Sequence, residues 1–380
     1  MFGGILAKVY NNPIYNILTW VQGFSIIFNG FNIVPSAILS KMKKFKTVNL
    51  NMVFSNFIAG IAGVSMALLN FGVYSLIFNS IVYSITFFIL NKYHINLYFS
   101  KNFNLPSLKK VWYFSKHSFG FNFINYFSRN ADNMLIGKFM GSVELGNYSK
   151  AYQLLMLPNS LFGNVINRVL QPVLSDFQDD VDYIRNIYYK IVHFLALIGL
   201  PLSIFLSMNA KSIIYIVFGT QWTDAIIPFS ILSLTVWIQL SLSGCGAIFL
   251  SRNQPRRFFY TGLISSIILV TSIIIGIYMG SIITVSYMLS IGFIINFFVS
   301  FYQLIKFTLK GDMINFYKNF ITPFILEIIT FLVLLLIKNI NIQDILSSFM
   351  INGIIFLLTV SLFIYFTKEK DLIHLFLIKR

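Results

Sequence analysis

Long, uninterrupted apolar stretches recur along almost the whole chain and constrain this sequence more than any motif in it. A bilayer-crossing helix needs about 20 mostly apolar residues, because the hydrocarbon core is about 30 Å thick and a helix rises about 1.5 Å per residue. About eleven segments meet that requirement: 17–39, 49–69, 73–90, 118–140, 146–172, 187–207, 224–250, 260–279, 282–305, 318–338 and 346–367. They are too long and too continuous for barrel strands, which run to about 10 residues of alternating polarity. The pattern predicts an all-α polytopic membrane protein. Composition points the same way. Of 380 residues, 57% are hydrophobic and 11% charged, against roughly 25% charged in a soluble domain. At a mean hydropathy of +0.77, too few polar residues remain to cover a water-facing surface.

The formal net charge of +16 would suggest a nucleic-acid partner in a soluble protein. In a membrane protein the first explanation is the positive-inside rule. Most of the Lys and Arg fall in alternate loops: 40–48, 91–117, 173–190, 251–259, 306–318 and the tail beyond 367. The opposite loops hold only Lys8, Lys138, Lys150, Lys211 and Lys338, and Arg129 and Arg168 lie inside apolar segments. This bias predicts a multi-pass protein of the cytoplasmic (inner) membrane with its C-terminus in the cytoplasm, and it explains the charge with no nucleic acid. An odd number of spans then puts residue 1 on the outer side, which leads us to expect earlier spans that this chain lacks.

Other chemistry is thin. Cys245 stands alone, so no intrachain disulfide can form, and His94, His117, His193 and His374 are too scattered for a zinc site. The loops leave no room for a water-exposed catalytic domain, and no His/Asp/Glu catalytic set is visible. A membrane polymerase or acyltransferase is therefore disfavoured, and no cofactor or metal is expected.

Polar groups inside the spans carry more information, because a charge at mid-bilayer costs about 2.5–3.5 kcal/mol on insertion scales. The fourth segment carries Asn122, Asn125, Ser128, Arg129, Asn130, Asp132 and Asn133. Steps of three and four put 122, 125, 129 and 133 on one helical face, with Asp132 at its edge. The fifth segment repeats the pattern with Asn164, Arg168 and Gln171, beside Asn167. Two arginines on consecutive helices suit an anionic ligand, since guanidinium pairs bidentately with phosphate oxygens and keeps its charge. The candidate substrate-binding set is Arg129, Arg168, Asn125, Asn122 and Asn133, with Asp132 as a candidate proton or sodium site. A purely structural reading stands beside it: Arg129 pairs with Asp132 three residues on, and Arg168 snorkels to the interface. His193, near a span end, reads as a satisfied interface residue rather than a proton relay. Glu327 is the buried acid of the late spans.

The run from Phe119 to Asp180 contains NYFSRNADNMLIG, LGNYSKAYQLLMLP and INRVLQPVLSDFQ. It resembles the corresponding region of the polysaccharide-exporting flippases of the MOP superfamily, in the branch of colanic-acid and teichuronic-acid exporters. Upstream, IVPSAILSKMKKFK is similar to that family's fourth span and the loop after it. The resemblance implies a MOP/MATE-like two-lobe helical bundle without its first three spans. The implied layout is a partial N-terminal lobe of three spans at 1–90, a basic inter-lobe linker at 91–117, a C-terminal lobe of six spans at 118–305, and two further spans with a cytoplasmic tail at 306–380. It also implies a transporter, not an enzyme. Such a protein flips undecaprenyl-pyrophosphate-linked oligosaccharide units across the cytoplasmic membrane for O-antigen, capsule or exopolysaccharide synthesis. Its implied partners are that polyprenyl-diphosphate-linked oligosaccharide, membrane lipids and other polysaccharide-assembly proteins. A multidrug or lipid exporter of the same superfamily and an inactive truncated flippase are the alternatives. Drug exporters favour acidic cavities for cationic cargo, so an arginine-bearing face argues against the first.

Overall fold

The computed structural model describes residues 2–42, 44–95, 112, 126, 130–175, 177–338, 344–367 and 369, and every regular element among them is helical. Among the described residues, eight helices are long and apolar enough to cross a bilayer, and a pair bent by 50° adds a ninth. These coincide with nine of the eleven expected segments. The segment expected at 146–172 forms part of a 34-residue helix whose composition keeps it outside that apolar set. The segment expected at 118–140 is described only at 126 and 130–140, where Ala131–Phe139 is helical, and almost all of the linker assigned to 91–117 lies outside the described residues.

The chain divides into two compact units, Met1–Phe119 and Gly120–Arg380. The first holds α1 (Phe2–Val9), α2 (Ile14–Lys41), α3 (Phe45–Leu68) and α4 (Val73–Tyr93), with α4 packed against both α2 and α3. Its polarity is inverted relative to a soluble bundle. Trp20, Phe57 and Leu68 are 71%, 68% and 78% exposed, whereas Asn32, Asn51, Ser55, Ser84 and Asn91 are buried. Only a hydrocarbon solvent makes that arrangement favourable: the large apolar side chains face lipid, and the polar ones must find partners inside. They do. Asn51 donates to Asn91 Oδ1 at 2.9 Å, and Asn91 donates to Asn32 Oδ1 at 2.9 Å. One amide chain thus ties α3, α4 and α2 together. Ser25 and Ser84 add a hydroxyl pair at 2.9 Å between α2 and α4.

The second unit comprises α5 (Ala131–Phe139), α6 (Ser142–Ser175), α7 (Val181–Met208), α8 (Ala210–Phe218), a 3-10 turn (Thr220–Ala225), α9 (Ile226–Ser233), α10 (Val236–Leu242), α11 (Cys245–Ser251), α12 (Pro255–Tyr278), α13 (Ile282–Tyr302) with a π turn (Gln303–Thr308), α14 (Met313–Tyr317), a 3-10 turn (Lys318–Phe320), α15 (Ile321–Lys338) and α16 (Ile345–Phe366). Its core runs along α7, where Ile184, Tyr188, Val192, Leu195, Ala196 and Leu200 are fully buried. α9, α10 and α15 pack around this helix. At the outer extreme, α16 has no buried residue. Cys245 is buried, with its Sγ 3.0 Å from the Tyr188 hydroxyl.

Hydrogen bonds draw the basic loops of this unit to one end. Arg185 donates to the carbonyls of Leu309 at 3.2 Å and Lys310 at 3.4 Å. Tyr189 donates to Asp312 O at 3.4 Å, and Thr308 donates to Gln254 Oε1 at 2.8 Å. Loops 173–190, 251–259 and 306–318 therefore share a side, as alternate loops of a threaded bundle must. At the ends of the opposite set, Lys150 stands 4.8 Å from the Phe218 ring and 5.2 Å from that of Trp222.

Candidate functional site

The polar segment at 130–149 is built from two short hydrogen-bond rungs. Asn130 is the N-cap of α5 and donates to Tyr126 O at 2.8 Å. Asp132, 4% exposed, accepts the Asn133 backbone N–H on Oδ1 at 2.8 Å. Its Oδ2 accepts the Tyr148 hydroxyl at 3.2 Å, across from α5 to α6. One residue on, Ser149 donates to Asn133 Oδ1 at 3.1 Å. The sixteen-residue offset of both pairs keeps α5 and α6 in register. Among the described residues, one oxygen of this buried carboxylate is thus satisfied by a backbone amide and the other by a phenol. Asp132 is thus tied to the structure.

Of the other candidates, Asn122, Asn125 and Arg129 lie outside the described residues, so the Arg129–Asp132 pairing does too. Arg168 lies on α6 with Asn164, Asn167 and Gln171, but their side chains lie outside the described set. The backbone places this stripe directly after Gly163. A Cβ at Gly163 would come within 3.3 Å of Ser243 Cβ and 2.8 Å of Asn159 Oδ1. Glycine is what lets α6 lie this close to the break between α10 and α11.

That break was not legible in the sequence, where 224–250 reads as one continuous span. Leu234 and Thr235 interrupt it first. Ser243 is then extended and Gly244 takes φ +93°, a left-handed conformation that favours glycine. Irregular backbone at membrane depth persists only where protein or a cavity surrounds it. An open surface pocket of about 380 Å³ lies at this point, lined by Leu242, Ser243, Gly244, Gly246, Ala247, Leu250 and Phe258. Asn159 Oδ1 on α6, and Gln239 Nε2 and Ser241 Oγ on α10, are enclosed without a hydrogen-bond partner among the described residues. A glycine, an enlarged polar content and a proline upstream (Pro228) were the available sequence signals. Each is common in any span, which is why together they passed for continuity.

Long apolar helices, one of them broken, buried amides and a lipid-facing exterior define a multi-pass helical membrane protein. The solved structure of a lipid II flippase, MurJ in an inward closed conformation, superposes on 94% of this chain and 75% of its own at a TM-score of 0.71, with 17% identity. The fold is shared. A family model described as polysaccharide biosynthesis protein matches residues 1–227, and the chain belongs to that family. Among curated relatives, the teichuronic acid biosynthesis protein TuaB of Bacillus subtilis is 24% identical over 59% of this chain and 46% of its own length. The lipopolysaccharide biosynthesis protein WzxC of Escherichia coli is 26% identical over 55% of this chain and 43% of its own. The chain thus spans about half the length of the curated relatives it matches.

Proposed function

We propose that this protein moves a polyprenyl-diphosphate-linked oligosaccharide from the cytoplasmic to the outer leaflet of the cytoplasmic membrane, for assembly of a cell-surface polysaccharide. The observation that carries this reading is the match of residues 1–227 to the polysaccharide biosynthesis family. The flippase-type fold is what such a task requires: a bundle that shields a polar headgroup while its exterior stays in lipid.

The chemistry of that cargo names its ligands. A diphosphate crossing hydrocarbon needs cations that do not deprotonate, and guanidinium meets that need bidentately. In this reading Arg168 on α6 and Arg129 on the preceding segment engage the diphosphate. Asn122, Asn125 and Asn133 offer amide groups to sugar or phosphate oxygens, and Asp132 is the candidate coupling-ion residue. The basic loops and the C-terminus face the cytoplasm, and 91–117 links the two groups of spans.

The test is translocation in proteoliposomes loaded with a fluorescent polyprenyl-diphosphate disaccharide, read as loss of protection from an impermeant quencher. Active flipping is expected. Arg168→Ala and Arg129→Ala should each slow it about tenfold or more, since a hydrogen bond to a charged group contributes about 1.5–3 kcal/mol. Unchanged rates in both variants would remove the arginine site. Export of a cationic dye with no movement of the diphosphate lipid would overturn the function itself.

A further inference from the structure

At the end of the second unit where the basic loops converge, His193 on α7 meets two acceptors at once. Its Nδ1 lies 2.6 Å from the backbone carbonyl of Asn319. Its Nε2 lies 2.8 Å from Glu369 Oε2, with the two side chains only 12% and 14% exposed. A carbonyl can only accept, so Nδ1 carries a proton. A neutral imidazole then presents a lone pair at Nε2, and an ionised carboxylate presents lone pairs back to it. At 2.8 Å that contact is repulsive unless one more proton sits between them, on the imidazole or on the carboxyl. Either placement gives the same count: the pair holds one proton beyond neutral His and ionised Glu.

We propose that His193 and Glu369 form a proton-binding site whose occupancy clasps Glu369, just beyond α16, to α7 and to the 3-10 turn before α15. Among the described residues, the surroundings offer no substitute for that proton. Arg185 is engaged by Asp182 at 2.8 Å and by the carbonyls of Leu309 and Lys310. Tyr189 donates to Asp312 O, and the Asp312 carboxylate caps Asn315 N–H at 3.0 Å. Lys318 is directed to Asn315 Oδ1 at 3.4 Å. Lys190 and Lys310 are exposed. Glu327 lies eight residues beyond Asn319 on α15, about 12 Å along the helix. When the proton leaves at rising pH, the Asn319 bond survives, the Glu369 contact turns repulsive, and the clasp opens.

The site makes two readings separable on the full chain in nanodiscs. Nitrogen NMR of labelled histidine should find both His193 ring nitrogens protonated, or Nε2 sharing a proton, at neutral pH. Hydrogen exchange of the peptide containing Phe366, Thr367 and Glu369, taken relative to intrinsic rates, should speed about tenfold or more as the pair deprotonates. Glu369→Gln separates protonation from packing, because its amide N–H can donate to neutral Nε2. That variant should keep the clasp closed and lose the pH dependence. An imidazole that is neutral at Nε2 with no shift on Glu369→Gln would overturn the proposal. So would equal pH-dependent exchange in the variant and the parent.

Discussion

Asn91 is fully buried and touches two other amides, Asn32 and Asn51, each 2.9 Å away on a different helix. In water such an amide contributes little, because the unfolded chain is equally well solvated. In lipid its partners have nowhere else to turn. Replacing Asn91 with Ala orphans a donor on one side and an acceptor on the other. The expected loss is about 1–2 kcal/mol, the scale of interhelical polar contacts in membranes, read as a lower unfolding midpoint of the purified protein in detergent. The sequence shows these asparagines but not their association, because 40 and 59 residues separate the partners. Asp132 makes the same point from the opposite direction. Its intramembrane carboxyl was conspicuous in the sequence, whereas the Tyr148 hydroxyl that satisfies it looked like one more aromatic among 20 tyrosines.

Four of the described helix starts are marked by side chains that accept backbone N–H groups. Asp180 caps α7, Asp312 caps α14 and Asp344 caps α16, while Ser281 opens α13 with a capping box completed by Thr284. Each of these caps is a local feature, a polar residue placed just before an apolar run. At exposed Asp344 the Ser347 backbone N–H holds the carboxyl below its usual range. The broken span 220–251 is the opposite case, where hydropathy runs on through the break. Gly244→Ala should cost about 1–2 kcal/mol, because a Cβ disfavours the left-handed conformation. A thermal melt of the variant checks this, and an unchanged Tm would mean the break can relax into a continuous helix.

For the molecule as a whole, the alternation of charged loops is a statement about which ends face which compartment. It is tested by cysteine labelling in a Cys245→Ser background, since Cys245 is buried and its removal leaves no other thiol. An impermeant maleimide added to intact cells should label Lys211→Cys and leave Arg256→Cys unlabelled until the membrane is opened. Labelling of both, or the reverse order, would invert the topology. Hydropathy gave this protein its class and charge bias the threading proposed for it, because the length of an apolar run and the sign of a loop are properties of neighbouring residues. The family resemblance added the transporter reading from runs that stand contiguous in the chain. Only the tertiary structure could decide which polar groups meet: the Asn32–Asn91–Asn51 chain, the Asp132–Tyr148 rung, the His193–Glu369 clasp and the close passage of Gly163 by Ser243. Each depends on which helices lie side by side, and in a solvent of hydrocarbon that choice is made by packing and hydrogen bonding between distant segments rather than by the apolarity that every span shares.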